Sequence, residues 1–122
     1  MRAVKLAEGS EQELIIQWAE YMSVKYPELA MLFHIPNGGK RDARTAAILK
    51  RQGVKAGVPD LCLPVPRGGY HGLFIELKAK GGRLSDHQER WIKALTIEGY
   101  KAIVCYGHEE ATEALANYIR GR

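Results

Sequence analysis

The stretch GVPDLCLPVPRGGYHGLFIELKAK, residues 57–80, decides the fold. Its second half, GLFIELKAK at 72–80, alternates in the manner of a strand: Leu73, Ile75, Leu77 and Ala79 leave one face, while Phe74, Glu76, Lys78 and Lys80 leave the other. The first half holds a shorter apolar run, LCLPV at 61–65, in which Pro64 argues for a sheet edge or an irregular strand end. Between them, Arg67-Gly68-Gly69-Tyr70 has the composition of a hairpin connection, so the two runs are expected to pair antiparallel. Asp60 stands at the start of the first run. Pro59 before it restricts Val58 to extended geometry.

Outward from this pair, Ser85 to Glu98 reads as a helix, with Ser85 as cap and Gln88 at capping-box spacing. KAIVCYG at 101–107 is a further strand and His108 to Arg120 a final helix. Strand 72–80, helix and strand 101–106 make a right-handed parallel crossover. Towards the N-terminus, Leu14, Ile15, Trp18, Tyr21 and Met22 recur at helical spacing within a helix from Ser10 to Lys25. Ser10 is its candidate cap, and Pro27 closes it. MLFHI at 31–35 reads as a short strand ended by the turn Pro36-Asn37-Gly38-Gly39. Asp42 is placed to cap a basic helix, Ala43 to Arg51, which Gly53 stops. The expected architecture is α/β: one domain, residues 1–122, with a mixed sheet flanked by helices.

Composition narrows the function classes. A chain of 122 residues has room for one modest core, and 46% apolar against 26% charged residues excludes disorder as its main state. The first apolar stretch, LIIQWA at 14–19, is far too short to span a bilayer, and no signal peptide is legible. Cys62 and Cys105 each lie in an apolar run, which suits core packing in a reducing compartment and a cytoplasmic location. Neither they nor the histidines have zinc-ligand spacing. Trp18 and Trp91 fall among helical apolar positions and read as core anchors, with a dimer face as the alternative. The net charge of +4 is uneven: Lys40, Arg41, Arg44, Lys50, Arg51 and Lys55 crowd one central stretch. Such a field attracts a polyanion.

If the two central strands pair, Asp60 and Glu76 bring two carboxylates within reach of one divalent cation. Mg²⁺ or Mn²⁺ prefers such oxygen ligands and keeps waters for chemistry. Lys78 leaves the same face as Glu76, where it could orient an attacking water or steady charge on a phosphate. Two carboxylates facing a phosphate would repel it without a cation between them. That weighs against the rival reading, a non-catalytic nucleic-acid-binding module on the same basic surface. His34 admits two readings, a core histidine or a group on the site's rim. The Gly-Gly pairs belong to no GxxxxGK pattern, so an ATP-binding loop is unsupported.

GVPD at 57–60 followed by IELKAK at 75–80 resembles the signature of the PD-(D/E)xK nucleases, and the surrounding text resembles their virus-type replication-repair branch, the VRR-NUC domain. FHIPNGGKR at 33–41, RGGYHGLFIELKAKGG and SDHQERWIKAL at 85–95 carry the resemblance from about Glu8 to Gly107. It implies a restriction-endonuclease-like fold and a Mg²⁺- or Mn²⁺-dependent phosphodiesterase acting on DNA, of structure-selective type for branched or flapped substrates. Asp60, Glu76 and Lys78 would be its catalytic core, with the backbone carbonyl of Leu77 beside the metal. Gln88 would match a glutamine near the lysine or the scissile phosphate. An acidic residue of the first helix would approach the metal, and Glu8 and Glu11 compete for that place. The resemblance also implies a homodimer and a phage origin. Asn37, Lys40, Arg41, Arg44 and Lys80 would meet the nucleic acid, holding its backbone rather than reading its bases.

Overall fold

The computed structural model describes residues 8–36 and 42–121, with side chains from Ser10 onward. Four strands form one mixed sheet in chain order: β1 (Phe33–His34), β2 (Leu61–Leu63), β3 (Leu73–Lys78) and β4 (Lys101–Tyr106). The first two pairings are antiparallel and β3 with β4 is parallel, as the crossover expectation required. Helices α1 (Glu8–Met22), α2 (Ala43–Arg51), α3 (Asp86–Ile97) and α4 (His108–Arg120) flank the sheet. This is the expected restriction-endonuclease-like α/β architecture.

Strand alternation sorts the two faces of the sheet. Leu61 and Leu63 on β2 and Leu73, Ile75 and Leu77 on β3 are buried in one cluster with residues of α1 and α4. From α4 come Ala111, Leu115, Tyr118 and Ile119, a helical stripe, and from α1 come Ile15 and Ala19, one turn apart. The opposite face of β3 carries Phe74, Glu76 and Lys78 and meets α3, with Phe74 edge-on to Tyr100 at 5.4 Å between ring centroids. The far end of the sheet is fastened by Arg67, which donates to Glu28 at 2.6 Å and to the Ile119 carbonyl at 3.1 Å. Gly68 and Gly69, at φ 56° and 87°, provide the two positive φ angles that a tight type I′ connection needs.

Several local expectations differ in detail. Ser10 lies inside α1, which begins at Glu8, so it does not cap that helix. Pro27 opens a short 3-10 helix, Pro27–Met31, whose fixed φ suits a helix start, and this shortens the strand expected at 31–35 to two residues. Pro64 ends β2, and β2 is an inner strand because β1 covers its edge. Trp18 packs against the core as expected, whereas Trp91 is half-buried on α3 outside the core cluster. Asp42 does cap α2, accepting from the Thr45 N–H at 2.7 Å. Cys62 and Cys105 are buried free thiols, pushed up to about 11 by burial. No helix among the described residues is long and apolar enough to cross a membrane.

Candidate active site

The register of the central hairpin sets the site. Leu61 stands opposite Ile75, so one step further along both strands puts Asp60 opposite Glu76, on the α3 face. Asp60 stops the ladder with its own side chain: Oδ2 accepts the Leu77 N–H at 2.7 Å. Its main-chain carbonyl accepts the Ile35 N–H at 2.8 Å and meets His34 Nδ1 at 2.8 Å. A carbonyl can only accept, so the His34 tautomer carries its proton on Nδ1. His34 is exposed beside Asp60, so it is not a core histidine. The aspartate is thereby held from both sides, through its carboxylate to β3 and through its backbone to β1.

Glu76 is the one buried charged side chain among the described residues, at 2% exposure. Its Oε2 accepts from Gln88 Nε2 at 3.2 Å and stands 3.9 Å from Lys78 Nζ. The lysine lies two residues on, so both side chains leave the same strand face. At 3.9 Å this ion pair is loose, and Lys78 keeps 16% of its side chain exposed, enough to reach outward.

Gln88 is fixed by the start of α3. The capping box is complete: Ser85 Oγ accepts the Gln88 N–H at 3.2 Å, and Gln88 Oε1 accepts the Ser85 N–H at 2.9 Å. With Oε1 committed to the cap, the amide Nε2 turns towards Glu76. The helix terminus and the carboxylate therefore share one side chain.

Gly57 brings the loop before Asp60 against the same helix. Its φ is +90°, and a Cβ there would stand 2.5 Å from the His87 carbonyl carbon. Only glycine fits both demands. Asp60, Glu76 and Gln88 thus belong to one packed corner made by β2, β3 and α3.

Glu11 reaches this end of the sheet from the opposite layer. Its Oε2 accepts the His108 N–H at 2.7 Å and also pairs with His108 Nδ1, while the neighbouring Gly107 N–H donates to the Lys78 carbonyl at 3.1 Å. Burial alone would raise the Glu11 carboxyl, but the His108 backbone and ring together hold it below the ordinary value of 4.5. The Glu8 side chain lies outside the described residues, as do Asn37, Lys40 and Arg41. Arg44 is exposed on α2, a helix with no buried residue, and Lys80 is exposed just beyond β3. The structure thus gathers Asp60, Glu76, Leu77, Lys78 and Gln88, with Glu11 approaching the Lys78 end from the other face. It does not bring Arg44 into that group.

The roles of Gly57 and His108 were not foreseen from the sequence. Gly57 carried a signal, a glycine ahead of the Pro-Asp pair. His108 carried none, because its partner lies 97 residues away.

The donor set suits a hard divalent cation. Asp60 and Glu76 supply carboxylate oxygens in register across two strands, and Mg²⁺ completes its shell with water rather than needing an all-protein cage. Among the described residues, no group of three or more His, Cys, Asp or Glu side chains comes together that could hold a metal ion.

The sequence matches the family described as VRR-NUC domain over residues 6–109. Among solved structures, one described as "VRR_NUC domain protein" superposes with a TM-score of 0.82 at 33% identity, covering 97% of this chain and 92% of that one. No curated protein matches the sequence.

Proposed function

The chain belongs to the VRR-NUC family, consistent with membership of the PD-(D/E)xK nucleases, and from that premise we propose a Mg²⁺- or Mn²⁺-dependent deoxyribonuclease selective for branched or flapped DNA. The observation that supports it is Glu76: a carboxylate at 2% exposure, in register with Asp60 and beside Lys78, is expensive to bury unless it binds something. Asp60 and Glu76 would hold the cation, with the carbonyl of Leu77, the residue after Glu76, beside them. Leu77 N–H already fixes one Asp60 oxygen, so the aspartate is preorganised for this task. The chemistry such an ion supplies when bound is polarisation of a phosphoryl oxygen and a more acidic bound water.

The remaining groups act through their own positions. Lys78 holds the attacking water and faces the negative charge that grows on the phosphate. Gln88 keeps Glu76 pointed into the site through the bond at 3.2 Å. The water oxygen bonds to phosphorus as one phosphorus–oxygen ester bond breaks; the attacking water gives up one proton to solvent, and the departing oxygen takes one from solvent water. Arg44, Lys80 and the basic residues at 40–41 hold the DNA backbone. A homodimer would present two such sites to opposed strands.

The test is a labelled panel of duplex, single strand, flap and four-way junction, incubated with Mg²⁺, Mn²⁺ or EDTA beside the Glu76→Gln protein. Metal-dependent cutting that the variant lacks supports the reading, and the panel ranks the substrates. Binding without cutting by the folded wild type in metal favours a non-catalytic nucleic-acid module.

A further inference from the structure

Beside Gln88, α3 presents side chains that the site described above does not use. His87, Arg90, Trp91 and Ala94 line an open groove of about 240 Å³. We infer that this groove is a stacking subsite for an unpaired nucleobase on the strand delivered to Glu76. The inference rests on the deoxyribonuclease reading and gives that site a single-stranded arm as part of its substrate.

Four observations carry it. The groove is lined by the indole of Trp91 and by the guanidinium of Arg90, whose Nη2 lies 3.1 Å from His87 Nδ1, so an aromatic side chain and a planar cation border the same open space. Aromatic faces and arginine together are the sequence-tolerant means of gripping single strands. Second, the groove is smaller than the roughly 300–1,000 Å³ clefts that take drug-sized ligands, a scale suited to one ring system. Third, Trp91 follows Gln88 by three residues, and long helical side chains lean back over the preceding turn. A base on Trp91 therefore leads its own backbone towards the amide that touches Glu76. Fourth, the charge is complementary to a nucleotide. Gly57 packs the loop bearing exposed Lys55 against His87, while Glu89 projects from the opposite side of the helix.

The experiment measures binding of a short oligothymidylate and of a blunt duplex to the full chain in EDTA, by anisotropy and by tryptophan emission. Trp18→Phe isolates the Trp91 signal, which the single strand should quench and the duplex should not. Trp91→Leu should weaken single-strand binding about 5- to 150-fold, the range for loss of one stacked base, with duplex affinity changed less than about twofold. Trp91→Phe, which keeps an aromatic face, should restore most of the loss. Equal losses on both DNAs, no loss on either, or an unquenched Trp91 in the Trp18→Phe protein would overturn the subsite. The catalytic reading fails separately: Trp91-dependent single-strand binding by a wild type that cuts nothing in Mg²⁺ or Mn²⁺ keeps the subsite and removes the nuclease.

Discussion

Replacing Glu76 with glutamine exchanges one carboxylate oxygen for an amide nitrogen at a position 2% exposed. The shape is kept, and Gln88 Nε2 can still donate to the new carbonyl oxygen, so the 3.2 Å bond has a successor. What disappears is a buried negative charge and its ion pair with Lys78 at 3.9 Å. Removing one partner of a buried pair is harmful when the other is stranded. Here Lys78 is not stranded, because 16% of its side chain reaches solvent. At 3.9 Å the attraction repays little of the carboxylate's desolvation, so the balance favours the amide. In EDTA the variant should be more stable by about 1–2 kcal/mol, because a buried charge costs more than a buried, hydrogen-bonded amide. For a domain of this size each kcal/mol moves Tm by roughly 4 °C, which predicts a variant melting about 4–8 °C above wild type. Metal then reverses the order. At a hundredfold excess over Kd, Mn²⁺ adds about 2.7 kcal/mol to a protein that binds it only when folded, and the variant should gain little. Calorimetric or fluorescence melts in EDTA and in Mn²⁺ read both effects. A variant that melts below wild type in EDTA would show Glu76 to be an ionic anchor of the fold, and equal Mn²⁺ shifts in both proteins would refute the assignment of the cation to Glu76.

Gly57→Ala should lower stability by about 2–4 kcal/mol, from a Cβ at φ +90° together with a 2.5 Å approach to the His87 backbone. It should also cut the cleavage rate about a hundredfold by moving α3 from Asp60, whereas unchanged kinetics would mean that the corner tolerates the displacement. The Asp42 carboxyl is held below its ordinary value of 3.8 chiefly by the Thr45 N–H. A depressed folded value means its contribution is present above that pH and lost as pH falls through the folded value. Asp42→Ala should therefore speed amide hydrogen exchange across Ala43–Arg51 at neutral pH, with the gap to wild type closing in acid; a gap independent of pH would remove the charge from the cap. Finally, the buried thiols of Cys62 and Cys105, near 11, should resist a disulfide reagent at neutral pH until the protein unfolds. Rapid labelling of the native protein would contradict that burial.

What the sequence made legible were features written in local periods. Asp60 and Glu76 could be matched because a strand repeats every two residues and the hairpin between them is short. Ser85 and Gln88 could be paired because a capping box has fixed spacing. The missing parts depend on tertiary approach. Glu11 and His108 meet only because α1 and α4 lie side by side, and a separation of 97 positions leaves no local trace of it. Gly57 touches His87 across the hairpin and its connection, so its need for glycine is set by a neighbour that pattern reading cannot see. Trp91 was misread for a related reason. Its helical spacing is the same whether α3 turns that edge into the core or leaves it as an open groove, and only the docking of Gln88 on Glu76 fixes the rotation. Ser10 shows the limit of capping rules, since α1 starts one turn's fraction earlier than its best cap residue.

The location of the site follows from the same packing. Strands β3 and β4 run parallel, so Lys78 and Tyr106 end together at one edge of the sheet, as in open α/β folds that bind ligands outside the carboxyl ends of their strands. Each helical layer is fastened at that edge by a carboxylate or an amide rather than by apolar contact alone. On one side Gln88 joins the α3 cap to Glu76, and on the other Glu11 joins α1 to the start of α4, next to the Gly107 amide that holds the Lys78 carbonyl. The backbone that carries Glu76 and Lys78 is therefore braced from both faces, while their charged ends remain on the side that α3 only partly covers. A fold optimised for stability alone would place leucine or valine at position 76. A buried carboxylate there, with a glutamine committed to aiming it, is the arrangement that the proposed cation site requires.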